Sequence, residues 1–388
     1  MSSTYYFDHA ASAPRRAEVA EAMAPWLHGI VGNPSGSHHA ARLARKAIEE
    51  AREDVANFVG GQIHEIIFTG GGSESTHLAI AGTTRAFLRD HERANIVISA
   101  IEHHAVSGAA ESMVREDARV ELRVMGCDHS GVTKVEEAFA LIDENTALVS
   151  MMAANNETGI MQPLSTLGGI AKGVVPGGAL LHTDAIASAP FVDLSFSTEL
   201  ADLVSICAHK LGGPVNAGAL ILRQPVKLEP VISGGGQERG HRGGTVDVAA
   251  AVGFAAACRA TARDRIATWE HVSALQERLV GHLSALPAVH VTGLTEGRLP
   301  GTVHVMAHGV AGEELLFLLD VDGICASAGA SCSSGAQVGS HVLAAMDIGQ
   351  EWAGGAIRFS MGHETSSDDV DYVAASFARA LERLRAER

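Results

Sequence analysis

The sequence predicts an α/β fold in two units, and three observations carry that reading. From Glu65 onward, short runs of β-branched and apolar residues alternate with helix-length amphipathic segments. That is the pattern of a largely parallel sheet covered by helices on both faces. Two of the runs, Leu203 to Ile206 and Ala217 to Leu222, have no helix between them, which predicts a hairpin and one antiparallel strand. After Thr245 the composition shifts to a long alanine-rich helical stretch reaching Leu286, with a break expected near Arg263. Strand signals resume at Val289 to Val291 and Gly301 to Met306. The boundary is placed within the long helix, so that 15–258 form a large domain and 1–14 with 259–388 a smaller one.

Each element follows from local chemistry. Tyr5-Tyr6-Phe7-Asp8 is a short extended start, expected to pack on the second unit, and Pro14 opens a helix over Arg15 to Leu27. A glycine- and proline-rich loop, Gly32 to His38, precedes an amphipathic helix over Ala40 to Phe58. Strands are then predicted at Ile66 to Thr69, Ile96 to Ile98, Val120 to Val124, Ala147 to Met151 and Leu180 to His182. Helices are expected from Ser73 and from His103, and over Val135 to Leu141 and Leu164 to Ala171.

Composition narrows the function classes. A chain of 388 residues with 46% apolar and 19% charged residues is a globular protein able to bury a large core. Its formal charge of −16 argues against nucleic acid or an anionic membrane as a partner. No basic region followed by an apolar run opens the chain, and no apolar stretch is long enough to span a bilayer, so a cytoplasmic protein is expected. Five cysteines, an odd and scattered number without a Cys-x-x-Cys pair, fit a reducing compartment and no metal site.

The chemistry gathers around Ser205-Ile206-Cys207-Ala208-His209-Lys210-Leu211-Gly212-Gly213-Pro214. A strand ends in a lysine and then in a turn that no regular element could continue. Such a lysine can be held close to another reactive group and desolvated, which is what Schiff-base chemistry needs. The chain has only five lysines, and this one alone lies in such a motif. Phe68-Thr69-Gly70-Gly71-Gly72-Ser73 reads as strand, glycine turn and helix start, suited to a phosphate or to a plain βα turn. Asp184 and His103 or His104 follow strands at the same carboxyl edge, where open α/β sheets bind ligands. Asn155 and Asn156 follow another strand. Gly234 to Thr245 carries Arg239 and Arg242 and is an anion-binding candidate or a flexible loop. The small-residue run Cys325 to Gly335 makes Cys332 the cysteine most open to reaction, while Cys127, Cys207 and Cys258 lie in apolar segments and read as inert.

Taken in order, these pieces resemble one family. Asp8-His9-Ala10-Ala11, Gly32-Asn33-Pro34-Ser35, Gly72-Ser73-Glu74-Ser75, Glu102-His103-His104-Ala105, Asn155-Asn156-Glu157, His182-Thr183-Asp184-Ala185, Ala208-His209-Lys210, Arg239 to Thr245, Ser327 to Gly335, Ser340-His341-Val342-Leu343 and Arg358-Phe359-Ser360 span nearly the whole chain. The set is similar to the pyridoxal-phosphate cysteine desulfurases of class I, the iron–sulfur-cluster and nitrogenase-maturation type. The resemblance implies aminotransferase fold type I, with a mainly parallel seven-stranded sheet in the large domain and a smaller α/β domain. It also implies a homodimer that converts L-cysteine to L-alanine and passes the sulfur, as a persulfide, to an acceptor protein.

By the same resemblance, Lys210 would hold pyridoxal 5'-phosphate and Asp184 would pair with its ring nitrogen. His103 would stack on the ring and serve as a candidate base. Gly72, Ser73 and His209 would hold the phosphate, with Thr245 reaching across from the other subunit. Arg358, Asn156 and Asn33 would bind the substrate, and Cys332 would attack its sulfur. Three departures stand out: Ala187 where the family has Gln, Cys207 in place of a phosphate-binding Ser, and His77 in place of Asn. They imply weakened cofactor retention and leave two alternatives open. One is another fold-type-I enzyme, a selenocysteine lyase or an epimerase; the other is a sulfur-relay scaffold.

Overall fold

The computed structural model describes residues 4–29, 32–293, 297–328 and 339–386. Cys332 and its neighbours therefore lie outside the described residues. The elements of the first part are β1 (Tyr5–Tyr6), α1 (Ala17–His28), α2 (His39–Val59), β2 (Ile66–Thr69), α3 (Gly72–Phe87), β3 (Ala94–Ser99), α4 (His104–Glu116), β4 (Val120–Met125), α5 (Ala138–Leu141), β5 (Thr146–Ser150), α6 (Leu164–Gly173), β6 (Leu181–Asp184), α7 (Ser195–Leu200), β7 (Leu203–Cys207) and β8 (Gly218–Leu222). The long helix α8 (Val248–Ser284) leads to β9 (Val289–Val291), β10 (Thr302–Ala307), α9 (Gly312–Val321), β11 (Ile324–Cys325), α10 (His341–Ala345), α11 (Gln350–Ala353), β12 (Ala356–Ser360) and α12 (Ser367–Ala386).

The large sheet has seven strands in the order β2-β8-β7-β6-β5-β3-β4. Only β8 runs against its neighbours, pairing antiparallel with both β2 and β7, as the helix-free connection predicts. Side chains alternate between two cores: Ile66, Phe68 and Val97 face a layer built with α1, α2, α6 and α8. Ile67, Ile96 and Ile98 face α3 and α4. Every residue of β3 is buried, which explains why Ile96-Val97-Ile98 at its centre is a continuous apolar run rather than an alternating one.

The second unit is a three-stranded antiparallel sheet, β12-β10-β9, packed by α9, α12 and the distal half of α8. The chain start joins it, since β1 pairs with β11 and Asp8 bridges Ser360. Helix α8 runs unbroken through Arg263. That residue is no breaker: its guanidinium is held by Glu18 and Asp264, and no glycine or proline interrupts the stretch around it. Phe254 to Cys258 of α8 belong to the first core and Leu275, Leu279 and Leu283 to the second. Strand β12, which carries Arg358, is absent from the sequence reading, because Ala356 to Ser360 is five residues long with a charge at its centre.

A buried ion pair ties the glycine-rich loop to the sheet. Arg52 and Glu238, both about 3% exposed, meet at 2.7 Å through two parallel hydrogen bonds. Glu238 also accepts the Phe68 N–H, and Arg52 donates to the Ile66 carbonyl. The loop holds Glu238 and Arg239 at positive φ, a conformation these residues adopt only when their surroundings fix it. Replacing Glu238 by Gln leaves the buried Arg52 with only the half-exposed Glu49 as counter-charge. Chemical denaturation of that variant is expected to show a loss of about 3 kcal/mol; a loss under 1 kcal/mol would show that water reaches the pair.

Candidate active site

Lys210 stands on the turn after β7, and the parallel register of β6 with β7 sets Asp184 opposite Ser205. The lysine Nζ donates to the Ala10 and Ala11 carbonyls at 2.5 and 2.8 Å, so the chain start lies over the sheet's carboxyl edge. Asp184 is buried, and its Oδ1 accepts the Ile186 N–H at 2.9 Å. Burial pushes its carboxyl up to about 6, against the opposing pull of that hydrogen bond and of Lys210. A cation against its second oxygen would relieve that cost.

His103 ends the loop before α4 and caps it, its Nδ1 accepting the Ala105 N–H at 3.1 Å. Burial, with Lys210 nearby, pushes the imidazole down to about 4. The neutral ring with an accepting Nδ1 carries its proton on Nε2. In this geometry Nε2 is a donor, and service as a base requires Nδ1 to give up the Ala105 N–H or the ring to change tautomer. His209 is likewise held near 4 by burial and Lys210.

The start of α3 has no side-chain cap, leaving backbone N–H groups bare at Gly72 and Ser73. Gly71 has φ of 136°, open only to glycine, and a Cβ at Gly218 would lie 2.6 Å from the Gly71 carbonyl carbon. Both glycines are thus required for the turn to lie against β8. Cys207 packs beside this turn, where a Cβ on Gly72 would lie 3.5 Å from its own. Burial pushes its thiol up to about 12, so it is inert.

Arg358 is buried on β12, donating to the Asn156 carbonyl at 2.9 Å and to Asp8 at 2.8 Å, with its Nε unpartnered. Asn156, Lys210 and Ala187 line one cleft with His9, Ala10 and Ser360. The chain thus gathers Lys210, Asp184, His103, His209, Gly72, Ser73, Asn156 and Arg358 at one edge. It does not bring Asn33 or Thr245 there. Asn33 is exposed, its Oδ1 accepting the Ser35 N–H, and the neighbouring Pro34 and Ser35 line a groove with Thr245 and Glu238. Arg239 and Arg242 are engaged within the chain: Arg239 donates to the Ile66 carbonyl and Arg242 pairs with Glu74 at 2.8 Å. Among the described residues, no three His, Cys, Asp or Glu side chains are arranged to hold a metal ion.

Two acids in quoted motifs went without a role. Glu102, about 1% exposed, accepts the Met152 N–H through Oε1 while Oε2 has no partner. Burial and the nearby Asp184 push it up to about 8. Glu157, also buried, accepts from Ser340 at 2.6 Å and is pushed up to about 7 by burial, with Ser340 and Arg358 opposing. Their places directly beside His103 and Asn156 in the quoted motifs were the signal for both.

A strand-end amine, a buried acid one strand away, a neutral imidazole and an uncapped helix start suit a flat, anionic, carbonyl-bearing cofactor. They define a fold-type-I enzyme of the aminotransferase kind. The chain belongs to the aminotransferase class-V family, whose family model matches residues 5–373. It is 39% identical over 385 residues to an IscS-like cysteine desulfurase of Mycobacterium tuberculosis, covering 98% of this chain and 97% of that one. Among solved structures it is similar to a NifS-like protein (TM-score 0.91, 32% identity, 98% of this chain and 100% of that one). It is also similar to SspA in complex with cysteine (TM-score 0.78, 31% identity, 92% and 99%).

The buried acids predict a pH dependence. Glu102, near 8 when folded, lies above an unfolded glutamate at about 4.3, so the folded chain holds a proton the unfolded chain has lost and stability falls as pH rises toward 8. The buried imidazoles of His103, His182 and His209 act in the opposite sense, but only below about 6.5. Denaturation of protein stripped of any cofactor is expected to show stability declining between about pH 6.5 and 8, and Glu102→Gln flattening that decline. A variant profile parallel to the parent's would show that Glu102 is already ionised there.

Proposed function

We propose that the protein is a cysteine desulfurase that uses pyridoxal 5'-phosphate and carries sulfur on Cys332. The observation that supports it best is Lys210 and Asp184 on adjacent strand ends beneath His103, in a chain whose relatives bear that name. Lys210 would hold the cofactor covalently, Asp184 its ring nitrogen, and the start of α3 with Ser73 and His209 its phosphate. Once bound, the cofactor supplies an electron sink conjugated to the substrate's α-carbon.

The chain's own groups do the rest. Arg358 orients the substrate carboxylate through the planar fork of its guanidinium, with Asn156 beside it. Reaching the substrate requires Asp8 to yield at least one of the guanidinium's donors. With the substrate bound, Lys210 would be the group placed to move protons at the α-carbon. His103 donates from Nε2 at the ring face. Cys332 Sγ gives up its proton and bonds to the substrate sulfur, the substrate's C–S bond breaks, and the carbon gains a proton. L-cysteine and a thiol thereby become L-alanine and a persulfide, with no external oxidant. The persulfide sulfur passes to an acceptor protein.

The active form would be a homodimer, in which Thr245 and Asn33 serve the partner's site. The exposed position of both, away from Lys210, supports that arrangement. No described helix is long and apolar enough to cross a membrane, and the charge of −16 disfavours direct contact with nucleic acid; a cytoplasmic location is part of this reading.

Borohydride reduction of the cofactor-loaded protein is expected to label Lys210, and Cys332→Ala to abolish sulfide and persulfide release. Alanine production surviving in Cys332→Ala would favour a selenocysteine lyase or an epimerase. A loaded protein with no absorbance band would favour a relay scaffold. Because Ala187 lines the Lys210 cleft, Ala187→Gln restores a donor to the cofactor's ring hydroxyl. One hydrogen bond of about 1 kcal/mol lowers cofactor dissociation about fivefold; unchanged dissociation would show that the glutamine does not reach the ring.

A further inference from the structure

Ser340 lies eight residues after Cys332 in the sequence. It is the N-cap of α10, and its hydroxyl plays two parts. It accepts the Leu343 N–H at 3.2 Å as the helix cap and donates to Glu157 Oε2 at 2.6 Å. Ser340 is about 8% exposed and Glu157 about 3%, so neither group has bulk water as a ready substitute.

Which side yields when that contact is lost follows from what else holds each partner. Glu157 lies in a turn fixed from within. Asn155 Oδ1 accepts the N–H groups of Glu157 and Thr158, both at 2.9 Å, and the Asn155 N–H reaches the Ile160 carbonyl. The Asn156 carbonyl of the same turn receives Arg358. The turn would therefore keep its shape without Ser340. Helix α10 has only five residues; its further ties are His341 Nε2 to the Glu102 carbonyl at 2.8 Å and apolar packing of Val342, Leu343 and Met346. Ser340, the N-cap, precedes all of these, so together with His341 it fixes the start of the helix and is its first side-chain tie in chain order.

We propose that Ser340 and Glu157 are a positioning pair that fixes the start of α10 against the turn carrying Asn156, and thereby sets the point from which Cys332 approaches the substrate. The pair acts on sulfur transfer and not on substrate binding, because the turn holding Asn156 and Arg358 is independently fixed. This inference rests on the desulfurase reading of Cys332.

The test uses the cofactor-loaded full chain with L-cysteine. Ser340→Ala is expected to lower single-turnover persulfide formation on Cys332, read by mass spectrometry, about tenfold. Half-saturation of the cysteine-induced absorbance change stays within twofold of the parent. Ser340→Thr, which keeps the hydroxyl, restores the rate. Glu157→Gln, which retains an acceptor oxygen but not its charge, falls between the two. A persulfide rate within twofold of the parent in both Ser340→Ala and Glu157→Gln would overturn the proposal. So would an equal loss in half-saturation and rate, which marks a general structural role. Cys332→Ala run alongside, read by alanine formation from L-cysteine, separates the two levels: if it retains the parent's alanine formation, the desulfurase reading fails, and if it alone is dead, only the positioning pair is rejected.

Discussion

The register between β6 and β7 is the constraint on which the rest of the site depends. Asp184 lies opposite Ser205, and Lys210 follows five residues later on the turn that closes β7. A slip by one residue would turn every side chain of β6 to the opposite face and bury Thr183 where Asp184 now stands. Several features hold the register. His182 bridges Ser150 on β5 and Ser205 on β7 at 2.8 and 2.9 Å, joining three strands through one neutral ring. Burial pushes that ring down to about 3, so it stays neutral and keeps one donor and one acceptor. At the other end of the strand, Asp202 accepts the Leu181 N–H. His182 is thus a fastener within the sheet.

That fastening matters because the edge is costly to build. Glu102, Asp184 and Glu157 are all buried, and burial raises each of them. An acid is retained in such a place against its solvation only if some other element over-determines it. Here each has a backbone or hydroxyl donor: Met152 for Glu102, Ile186 for Asp184, Ser340 for Glu157. Away from the site the same economy appears in Arg52 and Glu238, which lock the glycine-rich loop to β2. The arginines of that loop, free to bind an anion as far as sequence shows, are consumed in holding the loop itself.

What could be read from the sequence follows how local the cause is. The parallel sheet and its single antiparallel strand were legible, because periodicity and the helix-free connection between β7 and β8 are local signals. Lys210 stood out by its turn and by the scarcity of lysines. The persistence of α8 through Arg263 was not legible: a run of charges resembles a break, and the partners Glu18 and Asp264 that make it continuous include one from another helix. The fate of Arg239 and Arg242 also escaped, since their partners Ile66 and Glu74 lie more than 160 residues away. The His103 tautomer is likewise set by a cap geometry that appears only once α4 has a first turn.

The departures from the family pattern can be weighed in the same terms. Cys207 replaces a hydroxyl with a buried thiol pushed up to about 12, so the position offers packing against Gly72 and a weak donor at best. Ala187 leaves the cleft beside Lys210 open where a longer side chain would fill it. Each change removes a contact worth about 1 kcal/mol. Against this stands Asp184, whose carboxyl burial raises to about 6. A protonated ring nitrogen would stabilise its ionised form and offset that desolvation. The stronger, charge-assisted contact is therefore intact while the neutral ones have been lost. On the proposed reading the chain would hold its cofactor through one covalent bond and one ion pair, with fewer neutral contacts around the ring than the family pattern implies. Such a site binds more weakly without losing the feature that makes the ring an electron sink.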